Sequence, residues 1–157
     1  MGMREILFRG KSTKHNLWVE GAFSMKDCDS PFGEMVYNPS IIKYEEPCSG
    51  FWFIVDPETV GQFTGLTDKN GKKIFEGDII QFHKSRYEPY WVGVVSYDIG
   101  QYVATGKMPL AYRKPIGGKA FYCPFEVCLS GIDKTTIEVL GNIHDNPELL
   151  EVSDDST

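Results

Sequence analysis

Hydrophobic and polar positions alternate through most of this chain, and the clearest case is residues 61 to 82, GQFTGLTDKNGKKIFEGDIIQF, where two alternating runs flank a polar turn. A period of two places successive side chains on opposite faces of an extended strand. Asn70-Gly71 is a pair able to take the positive φ angles of a tight hairpin turn, and Gly77 predicts a bulge or bend as the second run begins. Asn70, Gly71 and Gly77 are therefore assigned structural roles. The same alternation runs through LWVEGAFSM, YWVGVVSYD, QYVATG and KTTIEVLGNIHD, all of which predict strands. With REILFRG and the polar KSTKHN, the first of these makes a hairpin over residues 4 to 25.

Between these runs the punctuation changes. Residues 26 to 50 hold Pro31, Pro39, Pro47 and the acidic pair Glu45 and Glu46, which predicts a loop with at most short strands. FWFIV at 51 to 55 is too short for a helix and too apolar for an exposed strand, so a buried strand is expected. In DPETVGQF, Asp56 can cap a helical turn with Pro57 at its first position. NPELLEV predicts a brief closing helical turn, and 153–157 reads as a frayed tail. No long window has a 3.6-residue period, so the chain is read as all-β.

Composition narrows the class. At 157 residues, with 41% hydrophobic and 13% aromatic positions, the chain suits one domain or two small ones. A chain of this size buries about 68–70% of its unfolded surface, enough for a core without staples. The net charge of −6 disfavours indiscriminate phosphate binding, although a local patch can still oppose it. Cys28, Cys48, Cys123 and Cys128 follow no signal peptide, so reduced thiols and a cytoplasmic location are expected. No apolar run approaches the roughly 20 residues that cross a bilayer, and no membrane partner is expected.

Three blocks, MREILFRGK, DPETVGQFTGLTDKNGKKIFEGDII and IEVLGNIHDNPELLE, occur in this order. In them the chain resembles the YopX family of bacteriophage and prophage proteins. The resemblance implies a small N-terminal β segment over 1–60, then an SH3-like barrel or roll over 61–152 with an insertion at about 98–130 and a short C-terminal helical turn. It also implies a phage or prophage origin in a bacterial host. It supplies no catalytic residue.

The chemistry-bearing residues were weighed against plainer roles. Asp68, Asn70 and Gly71 suggest a calcium loop, but the glycine and terminal glutamate spacing of an EF-hand is missing, and a turn whose polar residues face water accounts for them. On that account Lys69, Lys72 and Lys73 form a solvated rim. Cys123 and Cys128, with Cys28, Cys48 or His144, reach the count for zinc without its usual pair spacing. Glu76 and Asp78, two apart on a strand, would share a face and could work as an acid–base pair with a histidine. Between Asp98 and Glu126 no acidic residue occurs, while Lys107, Arg113, Lys114 and Lys119 lie among Tyr102, Tyr112, Phe121, Tyr122 and Phe125. Cations with aromatic platforms are what single-stranded nucleic acid uses. HKSRYEPYW adds His83, Lys84, Arg86, Tyr87, Tyr90 and Trp91.

The leading expectation is a non-enzymatic binding module, without cofactor or metal, for a protein partner or for self-association, working through barrel edges and an exposed insertion at 98–125. The alternative is a nucleic-acid binder using Lys84, Arg86, Tyr87, Trp91, Lys107, Arg113, Lys114 and Lys119. A second alternative is a small hydrolase or metal enzyme.

Overall fold

A computed structural model of the protein describes residues 5–29, 35–45, 49–83, 90–107, 115–116, 119–120 and 124–150. The chain divides into two compact units, residues 1–65 and 66–157, both built from antiparallel strands. Helical elements among the described residues are 3-10 turns of three or four residues, so none is long and apolar enough to cross a membrane.

In the first unit β1 (Phe8–Lys11), β2 (Trp18–Asp29), β3 (Met35–Glu45), β4 (Ser49–Ile54) and β5 (Gly61–Thr67, whose last two residues belong to the second unit) lie in the order β4-β3-β2-β1-β5. The expected hairpin is present, with Phe8 opposite Gly21 and Lys11 opposite Trp18. Its turn closes through Ser12 N to Leu17 O at 2.8 Å, and Asn16 takes φ +51°, a conformation asparagine tolerates. The sheet curls, so that Ser12 meets Val55 in a single antiparallel bridge and Thr13 N donates to Ile54 O. Inside the curl Val19, Ile41 and Val55 are buried against Phe8, Phe53 and Val60. Gly10 is required there, because a Cβ would lie 2.9 Å from the Val55 Cβ. The capped turn is present as Pro57–Thr59, with Asp56 Oδ1 accepting from Glu58 N at 3.1 Å.

The loop expected over 26–50 is corrected. β2 runs to Asp29 and β3 passes through Pro39, pairing in register from Ala22–Ile42 to Asp29–Met35. Pro39 is tolerated because it lies one step past the last β3–β4 pair, Ser40 with Ile54. Its carbonyl takes Val55 N at 3.0 Å, and the N–H it lacks would point to the same side, where β4 has ended.

The second unit contains β6 (Lys73–Phe75), β7 (Asp78–Phe82), β8 (Trp91–Asp98), β9 (Gln101–Lys107), β10 (Pro115–Ile116), β11 (Lys119–Ala120), β12 (Pro124–Cys128) and β13 (Glu138–Asn142). Five of these form a sheet in the order β12-β9-β8-β7-β13, and β10 pairs with β11. Ile74, Ile80, Phe82, Trp91, Val95, Ala104, Leu129, Ile132, Ile137 and Val139 make the core. The expected C-terminal turn is Pro147–Leu150. The five-stranded sheet does not close on itself among the described residues, so the closed ring of a barrel is not what these strands form. The exposed insertion expected over 98–125 is corrected for residues 101–107 alone, and 108–114, 117–118 and 121–123 lie outside the described residues. Residues 101–107 pair with β8 and residues 103–107 with β12 as well, and Val103 and Ala104 are buried, so the stretch is acid-free in part because it is sheet.

The turn from β5 to β6 differs from a solvated loop. Asp68 is 6% exposed. Its Oδ1 accepts from Asn70 N at 2.8 Å and Lys72 N at 2.9 Å, and its Oδ2 from Val139 N at 3.1 Å. Burial disfavours the charge, yet these three N–H groups, led by Val139, together with the nearby Lys72 ammonium outweigh it and hold the carboxyl below its ordinary value. Lys69 N donates to Ile137 O at 2.9 Å, so the turn is bonded to the segment leading into β13 at two points. Of the Asn70-Gly71 pair only Gly71 takes positive φ, at +82°. Gly77, at φ +80°, lies in a turn between β6 and β7 rather than in a bent strand, with its N–H on Val95 O and its carbonyl taking Ile143 N. Asp78, 1% exposed, accepts the Phe75 N–H at 2.8 Å across that turn.

Asp68→Asn places an amide donor among three donors and is expected to cost about 1–3 kcal/mol in urea unfolding at pH 7. Because the native pKa lies below the unfolded one, the contribution is full above the unfolded value, near 3.9, and is lost as pH falls through the native value. The difference between wild type and variant must therefore shrink as pH falls below about 5. A gap independent of pH would show that the carboxylate charge is not what matters.

Gly71→Val and Gly77→Val force a β-branched residue into left-handed backbone. Nothing lies within 4 Å of a Cβ at Gly71, so backbone strain alone is tested there. Each should lower stability by about 1–3 kcal/mol, read as a lower thermal midpoint.

Candidate functional site

The described residues of the second unit form an open depression of about 310 Å³ lined by Thr67, Asp68, Lys69, Lys134 and Thr135. One wall is the pinned turn after β5. The other is the 3-10 turn Lys134–Thr136, which exists because Asp133 caps it. The Asp133 carboxylate accepts from Thr135 N at 3.0 Å and from the Thr135 hydroxyl at 2.8 Å. Lys69 reaches over to β13, where its Nζ donates to Glu138 Oε2, and Gln81 Nε2 donates to the same oxygen at 2.8 Å. The bond to Lys69, then that to Gln81, holds the Glu138 carboxyl below its usual range. Glu138 in turn raises the Lys69 ammonium. Both side chains keep about a third of their surface in water, at 37% and 31%, so the pair adds little to stability. Lys69 is thus a committed cation rather than part of a solvated rim.

Beside the depression lies an aromatic pair. The rings of His83, just after β7, and Tyr90, just before β8, have centroids 3.8 Å apart and planes inclined by 39°. Tyr90 remains 49% exposed. The Thr136 hydroxyl bonds both backbone groups of His83, at 3.3 Å and 3.4 Å. Tyr90 is also near enough to Lys69 to act on its ammonium, which puts the ring pair beside the depression.

The residues proposed from sequence distribute unevenly around this surface. Trp91 is 5% exposed and sits in the core with Phe82, so it is corrected from a binding to a packing residue. Lys107 lies in β9 opposite Val92, and Lys119 lies in β11 opposite Ile116. Lys84, Arg86, Tyr87, Arg113 and Lys114 lie outside the described residues, as do Cys48 and Cys123. Glu76 and Asp78 do not share a strand face. Glu76 is in the turn and the Asp78 side chain is buried on the Phe75 N–H, so the acid–base pair is not assembled. Among the described residues no group of three or more His, Cys, Asp or Glu is placed to hold a metal ion. Cys128 is a free thiol whose Sγ lies 3.0 Å from Ser130 Oγ; that hydroxyl, and then the Ser130 N–H, hold it below its ordinary value. Lys134, Thr135 and Glu138 were not singled out from sequence. Asp133-Lys-Thr-Thr is a readable cap, but its proximity to Lys69 depends on pairing 57 to 71 residues apart.

The first unit presents a different chemistry. FWFIV is not wholly buried: Val55 is, but Phe51, Trp52 and Ile54 are 53%, 46% and 42% exposed. Trp52 and Ile54, two residues apart on β4, project from the same face, away from the interior that takes Phe53 and Val55. On β2, Phe23 and Met25 are exposed as well.

A crystal structure of protein EF1440 from Enterococcus faecalis is similar to this chain, with 25% sequence identity, coverage of 95% of this chain and 100% of that one, and a TM-score of 0.47. No curated protein matches. The family described as YopX protein matches residues 7–151, nearly the whole length. On that match, the chain belongs to the YopX family.

Proposed function

We propose that the chain is a non-enzymatic binding module for a protein partner, and that the β4 face bearing Trp52 and Ile54 is where the partner docks. One observation carries this reading: two large apolar side chains stand side by side, about half exposed, on a strand with no charged residue. Exposed apolar clusters on a folded surface mark interaction sites, and tryptophan is the residue type that most often dominates an interface. The buried, turn-capping position of Asp78 supports this reading over the hydrolase alternative. In the same proposal the second unit is an SH3-like roll left open between β12 and β13. Support for that is the β7-β8-β9 meander, to which β13 returns beside β7. The setting we infer is a phage or prophage protein in the bacterial cytoplasm, in keeping with the family and with the free Cys128 thiol.

Replacing Trp52 and Ile54 together by lysine tests the reading. Both side chains are surface groups, so the melting curve should stay close to wild type. A protein captured by the wild type from phage-carrying cells, then purified, should bind the wild type and not the double variant. Apolar burial should also give a negative heat-capacity change in titration. Light scattering separates self-association from a heterologous partner. Equal binding by the folded double variant would remove β4 as the docking face.

A further inference from the structure

We propose that the surface formed by Tyr90, His83, Lys134 and Lys69 binds a nucleotide unit, its base stacked on the Tyr90–His83 pair and its phosphate held in the depression between the two lysines. The site shares no residue with the β4 face, so each proposal can fail without the other.

A histidine stacked on a tyrosine with about half its surface in water is a flat apolar platform at a strand end, and any base has a face to lay on it. A platform alone would not select a nucleotide. The Thr136 hydroxyl ties it to a depression whose lining supplies two ammonium groups and the Thr67 hydroxyl, the Thr135 hydroxyl being given to Asp133. Cations and hydroxyls are the groups that take phosphate oxygens.

Each acidic residue around this surface is hydrogen-bonded to a donor of the chain, although only Asp68 is buried. Asp68 is spent on three N–H groups and Asp133 on Thr135. Glu138 is bonded to Lys69 and Gln81. Glu138 is thus a built-in competitor for Lys69: a phosphate must share that ammonium with it, whereas Lys134 lies exposed on the opposite wall. On a chain of net charge −6, this gives weak, salt-sensitive binding confined to one place. It also gives a signature that a general attraction to polyanions would lack, since removing one particular acid should strengthen binding.

The test is fluorescence anisotropy with a short dye-labelled oligothymidylate at low salt. Wild type should bind saturably, and Tyr90→Phe, which keeps the platform, should match it. Tyr90→Ala and Lys134→Glu should weaken binding about tenfold or more. Glu138→Gln should tighten it and steepen the salt dependence, because Lys69 is released to a phosphate. Competition by a mononucleotide separates two sources of the same chemistry. Full displacement at matched nucleotide concentration indicates a free nucleotide; displacement only at great excess indicates a strand, and either result keeps the site. Melting curves for each variant exclude unfolding, and if Tyr90→Ala fails to fold, the exposed Lys134→Glu and Glu138→Gln decide alone. Absence of saturable binding of both strand and mononucleotide to the wild type overturns the proposal, as does unchanged affinity in the folded Lys134→Glu and Glu138→Gln variants.

Discussion

The second unit depends on a carboxylate that has exchanged water for three backbone N–H groups. Burying a charge is costly unless hydrogen bonds replace its hydration, and at Asp68 the replacement comes from both ends of the chain segment it joins. Two bonds shape the local turn, and the third reaches Val139 in β13. One side chain therefore fixes both the conformation of the hairpin and its position along a distant strand. The Lys69–Glu138 pair, the shape of the depression and the approach of Lys134 all follow from that placement.

Much of the fold was legible because local rules and tertiary structure agree. Period-two patterning gave the β class, Asp56-Pro57 gave a capped turn, and Gly71 gave its left-handed residue. Misreadings arose where context reverses a local rule. Pro39 reads as a strand breaker, yet it sits where the neighbouring strand has ended. FWFIV is apolar at every position, so alternation cannot say which side faces in, and Trp52 stays in water while Val55 does not. Trp91 was misread the other way, because closeness in sequence to basic and aromatic residues does not tell a surface ring from a core one, and Trp91 packs with Phe82. The surface joining Lys69 to Lys134 was not legible at all, since it is created by pairing between residues far apart in sequence.

Charge is distributed so that local sign matters more than the total. The acidic side chains of the second unit that border the depression are each hydrogen-bonded to a donor of the chain, and Lys69 and Lys134 stand among them. The first unit meets solvent differently, with uncharged aromatic and aliphatic groups on β4. Two units of one short chain thus present surfaces of opposite character: exposed apolar area in one, and an aromatic pair beside ammonium groups in the other.

The pairing of β13 with β7 sets an order of events during synthesis. Glu138 lies opposite Gln81, whereas the hairpins of the first unit join strands close in sequence. A ribosome releases residues 1–65 long before residue 139, so the first unit can collapse while the second lacks a strand of its sheet. During that interval the Asp68 carboxylate has no Val139 N–H to accept from and stays hydrated. Arrival of β13 is then the step that makes burying it favourable, and completion of the second sheet becomes a late, concerted event.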